Sequence, residues 1–278
     1  MNVYRAQQIR NVAVIAHGGS GKTSLMDAAL YDSGAVNRIG NVNEGSSISD
    51  YDPDEIKKQM SLNLTLIPVE WKGGKINLLD TPGYADFVGE VMAALRVSDA
   101  ALVVVSAEKG VEVGTELVWR YANKHDLPRM VFVNKLDREN TSYDHALESL
   151  RANFGTRIVP LVIPIGEQAN FAGVIDLVAN KAYSFSGDKA TAGDVPAEMS
   201  DAVSKYREQL VETAVESDDD LMTKYLEGEE VTEEELRRAI KAGVASGQVV
   251  PVLAGSATKN VGVQTLLDAM SEYLPSAA

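Results

Sequence analysis

The chain has 278 residues, no cysteine and a hydrophobic fraction of 45%. It can bury a sizeable core as one large domain or one domain plus an insert, and it holds neither disulfides nor thiolate metal sites. No apolar run approaches the length of a membrane span, and the short run after Arg10 leads straight into glycines, so a soluble, cytoplasmic, monomeric protein is expected. The net charge of −14 is concentrated, because residues 188–235 hold 16 acidic and only 4 basic side chains. Acidity argues against nucleic-acid contact for that segment alone.

Residues 12–16 read as a buried strand and 22–31 as a helix opening directly from glycines. Between them, Ala16-His17-Gly18-Gly19-Ser20-Gly21-Lys22-Thr23 fits a phosphate-binding loop, with Ser24 the next residue of the helix. Glycines let several N–H groups converge on one point, and the helix adds its positive end. Lys22 is expected at the β- and γ-phosphates, and the Thr23 hydroxyl at magnesium. Residues 37–60, rich in Gly, Asn, Ser and Asp, lack periodicity and read as a long functional loop. A hairpin follows, 62–71 and 76–80, about the turn Lys72-Gly73-Gly74-Lys75. It ends in Asp80-Thr81-Pro82-Gly83, where a carboxylate can hold magnesium through water and the Gly83 N–H can meet a γ-phosphate. Taken alone, that tetrapeptide is equally a plain turn.

Residues 87–97 read as a helix, 100–107 as a core strand, 112–125 as a helix and 129–133 as a strand. Asn134-Lys135-Leu136-Asp137 comes next. Asp137 can accept both N–H hydrogens of a guanine edge, a contact adenine cannot supply. Lys135 can lay its stem over the base, and Asn134 can tie this loop to the phosphate loop. After the helix Tyr143–Phe154 the alternation breaks, with strand-like pieces over 158–185 and polar helices over 197–217 and 232–246. It resumes with a strand at 249–254, the tripeptide Gly255-Ser256-Ala257 and a final helix, Val263–Tyr273. Ser256 and Ala257 stand where a backbone N–H can reach the guanine oxygen.

The expected fold is α/β, a doubly wound P-loop GTPase domain with a smaller α+β insert between the fifth and sixth main strands. Residues 1–159 and 248–278 form the main domain, and 160–247 the acidic insert. The motifs stand in order at the carboxyl ends of strands, where open α/β sheets bind ligands. Together they predict GTP or GDP as ligand, with Mg2+.

The stretches AHGGSGKTSLMDAALYDSGA, DTPGYADFVGEV, FVNKLDREN, PIGEQANFAGVIDLV and GSATKNVGVQTLLDAMSEYLP resemble the G domain of bacterial elongation factor G, and its paralogues most of all. The resemblance covers essentially the whole chain, insert included. It implies ribosome association, an insert that can contact the ribosomal stalk, and further β-rich domains beyond an isolated G domain. It also implies a histidine after Asp-Thr-Pro-Gly that orders the attacking water. Here that residue is Tyr84, a hydrogen-bond donor that cannot carry the positive charge of an imidazolium. Lys22, Gly83 and Tyr84 form the implied catalytic set. Gly18 and Gly19 replace an apolar residue and a carboxylate of the family pattern, the latter a ligand for a monovalent cation. Ser61 stands where the family has its magnesium-binding threonine; a solvated loop serine is the other reading.

His17 is expected to pack under the phosphate loop, and His125 and His145 to be solvated. Glu233-Glu234-Glu235 reads as an exposed helix start favoured by the dipole. Two functions compete: a GTPase accelerated on the ribosome, and a GTP-gated binding module with little hydrolysis. A ribosome-rescue or protection factor is a third.

Overall fold

Two sheets organise the chain in the computed structural model, which describes residues 2–186 and 189–278. Asp188, the first residue of the acidic segment, lies outside them. The strands are β1 (Ile9–Ile15), β2 (Thr65–Trp71), β3 (Gly74–Asp80), β4 (Ala100–Ser106), β5 (Arg129–Asn134), β6 (Ile158–Pro160), β7 (Val162–Ile165), β8 (Gly173–Asp176), β9 (Lys181–Ser186), β10 (Lys189–Gly193) and β11 (Val250–Ala254). The helices are α1 (Lys22–Asp32), α2 (Pro53–Lys58), α3 (Val88–Val97), α4 (Val113–Asn123), α5 (Tyr143–Phe154), α6 (Ser200–Val215), α7 (Asp219–Leu226), α8 (Glu233–Ser246) and α9 (Val263–Tyr273).

The main sheet has the order β2-β3-β1-β4-β5-β11-β6. Its strands run parallel except β2, which is antiparallel to β3. β4 and β5 are buried at every position, as apolar runs between two helical layers must be. Edge strand β2 alternates buried and exposed residues. Its hairpin closes on Lys72-Gly73 alone, both left-handed with φ of 45° and 80°, a two-residue turn whose twist matches the strands. The second sheet, β10-β9-β8-β7, is antiparallel. Leu161 joins the two, donating to the Val252 carbonyl at 2.8 Å and accepting from Leu177 at 3.0 Å.

Three features depart in detail from the sequence expectation. β6 lengthens the main sheet, so the second sheet falls between the sixth and seventh main strands in chain order. Three residues are too few to show a period. The loop at 37–60 contains a 3-10 turn, Val42–Glu44, and helix α2, started by a capping box in which Asp52 accepts from Asp54 N–H at 2.8 Å and Glu55 reaches back at 3.1 Å. A third polar helix, α7, stands between the expected two, capped by Asp218. The parallel strands all end at one edge of the sheet, and the loops leaving β1, β3, β5 and β11 meet there.

Candidate functional site

The phosphate loop enters α1 through Gly21, the helix cap, at φ 94°. A Cβ there would lie 2.5 Å from the Asn134 amide nitrogen. Asn134 uses that closeness. Its Nδ2 donates to the Ser20 carbonyl at 3.0 Å, while its Oδ1 accepts from Lys135 N–H at 2.8 Å and Ala257 N–H at 3.0 Å. One buried amide therefore ties the loops after β1, β5 and β11 together, and the Lys135 ammonium adds a bond to the Gly19 carbonyl. Among the described residues, the N–H groups of Gly19, Gly21, Lys22 and Thr23 have no partner in the chain. They form an anion cradle at a helix start.

Lys22 is only 6% exposed. Its ammonium presses on Gly83, where a Cβ would come within 2.7 Å of Nζ. Burial lowers the lysine pKa, and Asp80 and Asp50 oppose that shift. Thr81 anchors the adjoining turn to the Val14 carbonyl at 2.7 Å. Beside Lys22, the Thr23 and Ser61 hydroxyls stand 3.0 Å apart, and Ser61 donates to Asp50 Oδ1 at 2.7 Å. Ser49 donates to Asp80 Oδ2 at 2.6 Å. Burial pushes the Asp80 carboxyl up to about 6, against the pull of Lys22 and of the Ser49 and Thr23 hydroxyls.

Asp50 Oδ2 and Asp80 Oδ1 are buried without partners. Two buried carboxylates, each with an orphan oxygen, beside two hydroxyls and an anion cradle suit a hard divalent cation, which prefers oxygen ligands and keeps part of its water. Among the described residues no cluster of three or more His, Asp or Glu could hold a metal by protein ligands alone, so phosphate oxygens or water must complete the shell. Asp50 was absent from the sequence-derived set. Its signal was available, since it opens the stretch that places Ser61.

A cavity of about 510 Å³ extends from this cluster, lined by Gly18, Gly19, Gly21 to Ser24, Asp50, Ser61, Gly83, Tyr84, Lys135, Arg138, Ala257 and Thr258 and roofed by residues 39–44 and 59–60. Its size is that of a ligand cleft. Asp137, like Asp80, Asn134 and Ser256, does not itself line the cavity; among the described residues its Oδ1 is buried with no hydrogen-bond partner. The expected N–H donors of Ser256 and Ala257 are engaged instead, with the Val261 carbonyl at 2.9 Å and Asn134 at 3.0 Å. Thr258, which lines the cavity, keeps a backbone N–H with no partner among the described residues. It was not anticipated, because Gly255-Ser256-Ala257 carries no information on which amide the strand end leaves free.

His17 and Ser20 do not line this cavity. The His17 ring packs against Gly114, with Nε2 3.5 Å from Glu112 Oε1, and it borders a separate apolar cavity of about 330 Å³ between α3 and α4. Ser20 contributes its carbonyl to Asn134. Tyr84, 50% exposed, borders both cavities. Its ring lies over Gly18, so that a Cβ on Gly18 would be 3.3 Å from Cζ. The two sequence departures at 18 and 84 are thus one packing unit. His145 is exposed as expected, whereas His125 is half-buried with an unpartnered Nε2.

The family model described as the elongation factor Tu GTP binding domain matches residues 7–276. A crystal structure of a protein from Thermus thermophilus superposes with a TM-score of 0.92 at 43% identity. The match covers 97% of this chain and 41% of that one, so the chain spans less than half the length of the solved protein.

Proposed function

The chain belongs to the elongation factor Tu GTP binding domain family, and from that premise we propose that it is the nucleotide-binding domain of an elongation factor G-like translational GTPase. In this reading it binds GTP with Mg2+, hydrolyses it slowly and is stimulated by the ribosome, in the cytoplasm. Residues 160–247 act as an inserted unit that offers an acidic surface to the ribosomal stalk. The observation that carries the reading is the buried Lys22 ammonium against Gly83, flanked by Asp50 and Asp80, at the mouth of an open amide cradle.

Each group has a role. Amides after β1 and Lys22 hold the phosphate chain and take up charge as it develops on the terminal phosphoryl group. Thr23 and Ser61 would offer hydroxyls to the cation, and Asp50 and Asp80 would hold it through water. Bound there, the cation neutralises phosphate charge. Asp137 selects guanine, and the Lys135 stem covers the base. Gly83 offers its N–H to the γ-phosphate, and Tyr84 orients water beside it. Tyr84 also supports the second reading, a GTP-gated switch with little hydrolysis, because it replaces a group able to carry positive charge.

Single-turnover phosphate release, with and without ribosomes and on the full-length protein, decides between them. Stimulation lost in Lys22→Ala supports the GTPase. A rate at background in both conditions leaves the switch. Equilibrium binding of GDP against ADP tests base choice, and comparable affinities would refute the role given to Asp137.

A further inference from the structure

The loop that roofs the nucleotide cavity is held to the body at several points, and one of them lies away from the ligand. Ser49 bonds Asp80 and Ser61 bonds Thr23, all within the cluster that would meet cation and phosphate. Asp27 does not line the cavity. It sits on α1, the rigid helix that begins with Lys22 and Thr23, and it is 1% exposed. Its Oδ1 accepts from the Ile48 N–H at 3.0 Å, across 21 residues. The nearby Ser47 hydroxyl favours the charged carboxylate, while among the described residues Oδ2 is buried with no hydrogen-bond partner. On its other side Gly40 packs so closely that a Cβ would lie 2.7–2.8 Å from all three carboxylate atoms. The loop therefore crosses the same side chain twice, at Gly40 and at residues 47–48, on the two flanks of its 3-10 turn. A carboxylate in an apolar helix face is unfavourable unless it is bonded, and the hydrogen bond it accepts here comes from the loop.

We propose that Asp27 is a positioning residue that staples the roof of the cavity to the phosphate-binding helix and so sets how long a bound nucleotide stays. This rests on the reading that the cavity holds a guanine nucleotide. Because the staple and the phosphate loop share α1, a ligand that orders Lys22 and Thr23 meets a roof already in register. Gly40 belongs to the same device. Its φ lies outside the left-handed region, and the three atoms nearest to an added Cβ all belong to the Asp27 carboxylate, so that group is the first obstacle to alanine.

The test is a set of four variants, Asp27→Ala, Asp27→Asn, Gly40→Ala and the Asp27→Ala/Gly40→Ala double, followed by displacement of a fluorescent GDP in stopped flow. Loss of a hydrogen bond to a charged group predicts dissociation about tenfold faster in Asp27→Ala. Asp27→Asn keeps an acceptor for Ile48 and stays near wild type. Gly40→Ala speeds release in the wild-type background and changes little on top of Asp27→Ala, because its obstacle is gone. An unchanged off-rate in Asp27→Ala, or additive effects of the two alanines, overturns the staple. A second arm needs no nucleotide. Arg38, Lys57 and Lys58 are exposed on the loop, and the staple predicts faster tryptic cleavage after them in Asp27→Ala with cleavage outside residues 37–60 unchanged. Equal cleavage overturns it. If the wild-type protein binds no GDP, the nucleotide reading falls, and the cleavage arm still decides the staple.

Discussion

Among the described residues Asp137 keeps a carboxylate oxygen buried with no partner, and an unanswered buried acceptor costs about 1–3 kcal/mol, more when charged. Guanine supplies two donors to that group and adenine none. Asp137→Asn is expected to weaken GDP binding by about 2 kcal/mol, roughly 30-fold, while ADP binding stays where it was; competitive titration of the two nucleotides measures it. Gly18 and Tyr84 make a steric pair. Valine at 18 meets the Tyr84 ring, and overpacking of this kind destabilises by about 1 kcal/mol or more. Urea melts should show that loss in Gly18→Val and its relief in Gly18→Val/Tyr84→Ala. At this scale the sequence reading named Lys22, Thr23, Asn134 and Asp137 because each sits in a contiguous motif. Asp50, Asp27 and Thr258 escaped it, since their roles come from partners elsewhere in the chain or from one amide left unpaired.

The elements divide in the same way. β4, β5 and α5 were legible because their apolar patterns are long and uninterrupted. β6 was read as strand-like but without its place in the main sheet, and α2 and α7, at six and eight residues, are too short for a period to emerge. Their signals are caps instead, and caps also stabilise α8. There Thr232 and Glu235 form a capping box, and Lys224 bonds Glu235 at 2.8 and 2.9 Å. The Lys224 and Thr232 bonds hold the Glu235 carboxyl down to about 2. A carboxylate lowered on folding adds stability above its unfolded value near 4.5, and that stability disappears as pH falls through about 2. Glu235→Gln should therefore lower Tm at pH 7, with the gap to wild type closing toward pH 2, as followed by circular dichroism.

Buried charge at the proposed site bears on the stability of the whole domain. Lys22, Asp50 and Asp80 are buried together; burial raises the proton affinity of both carboxylates, and the Asp50 charge adds to that rise at Asp80. A cation and a phosphate chain relieve that crowding. GDP with magnesium at 100 times Kd should raise unfolding stability by about 2.7 kcal/mol. Removing the metal with a chelator, or introducing Lys22→Ala, should erase most of that gain in a thermal melt. Alternation of strand and helix, broken once by the acidic insert, was enough to predict this architecture, because the period of the apolar residues follows directly from strand and helix geometry.

The residues alone also pointed to guanine-nucleotide binding, because the proposed phosphate cradle, metal hydroxyl and base-reading carboxylate each occupy a few consecutive positions near the end of a strand. Tertiary structure decided what lies between those motifs. It brought Gly18 under Tyr84, set Asp50 beside Ser61, took up the Ala257 amide with Asn134 and placed Asp27 beneath the roofing loop. Those outcomes depend on burial and on hydrogen bonds between groups far apart in the chain, and neither can be read from local periodicity.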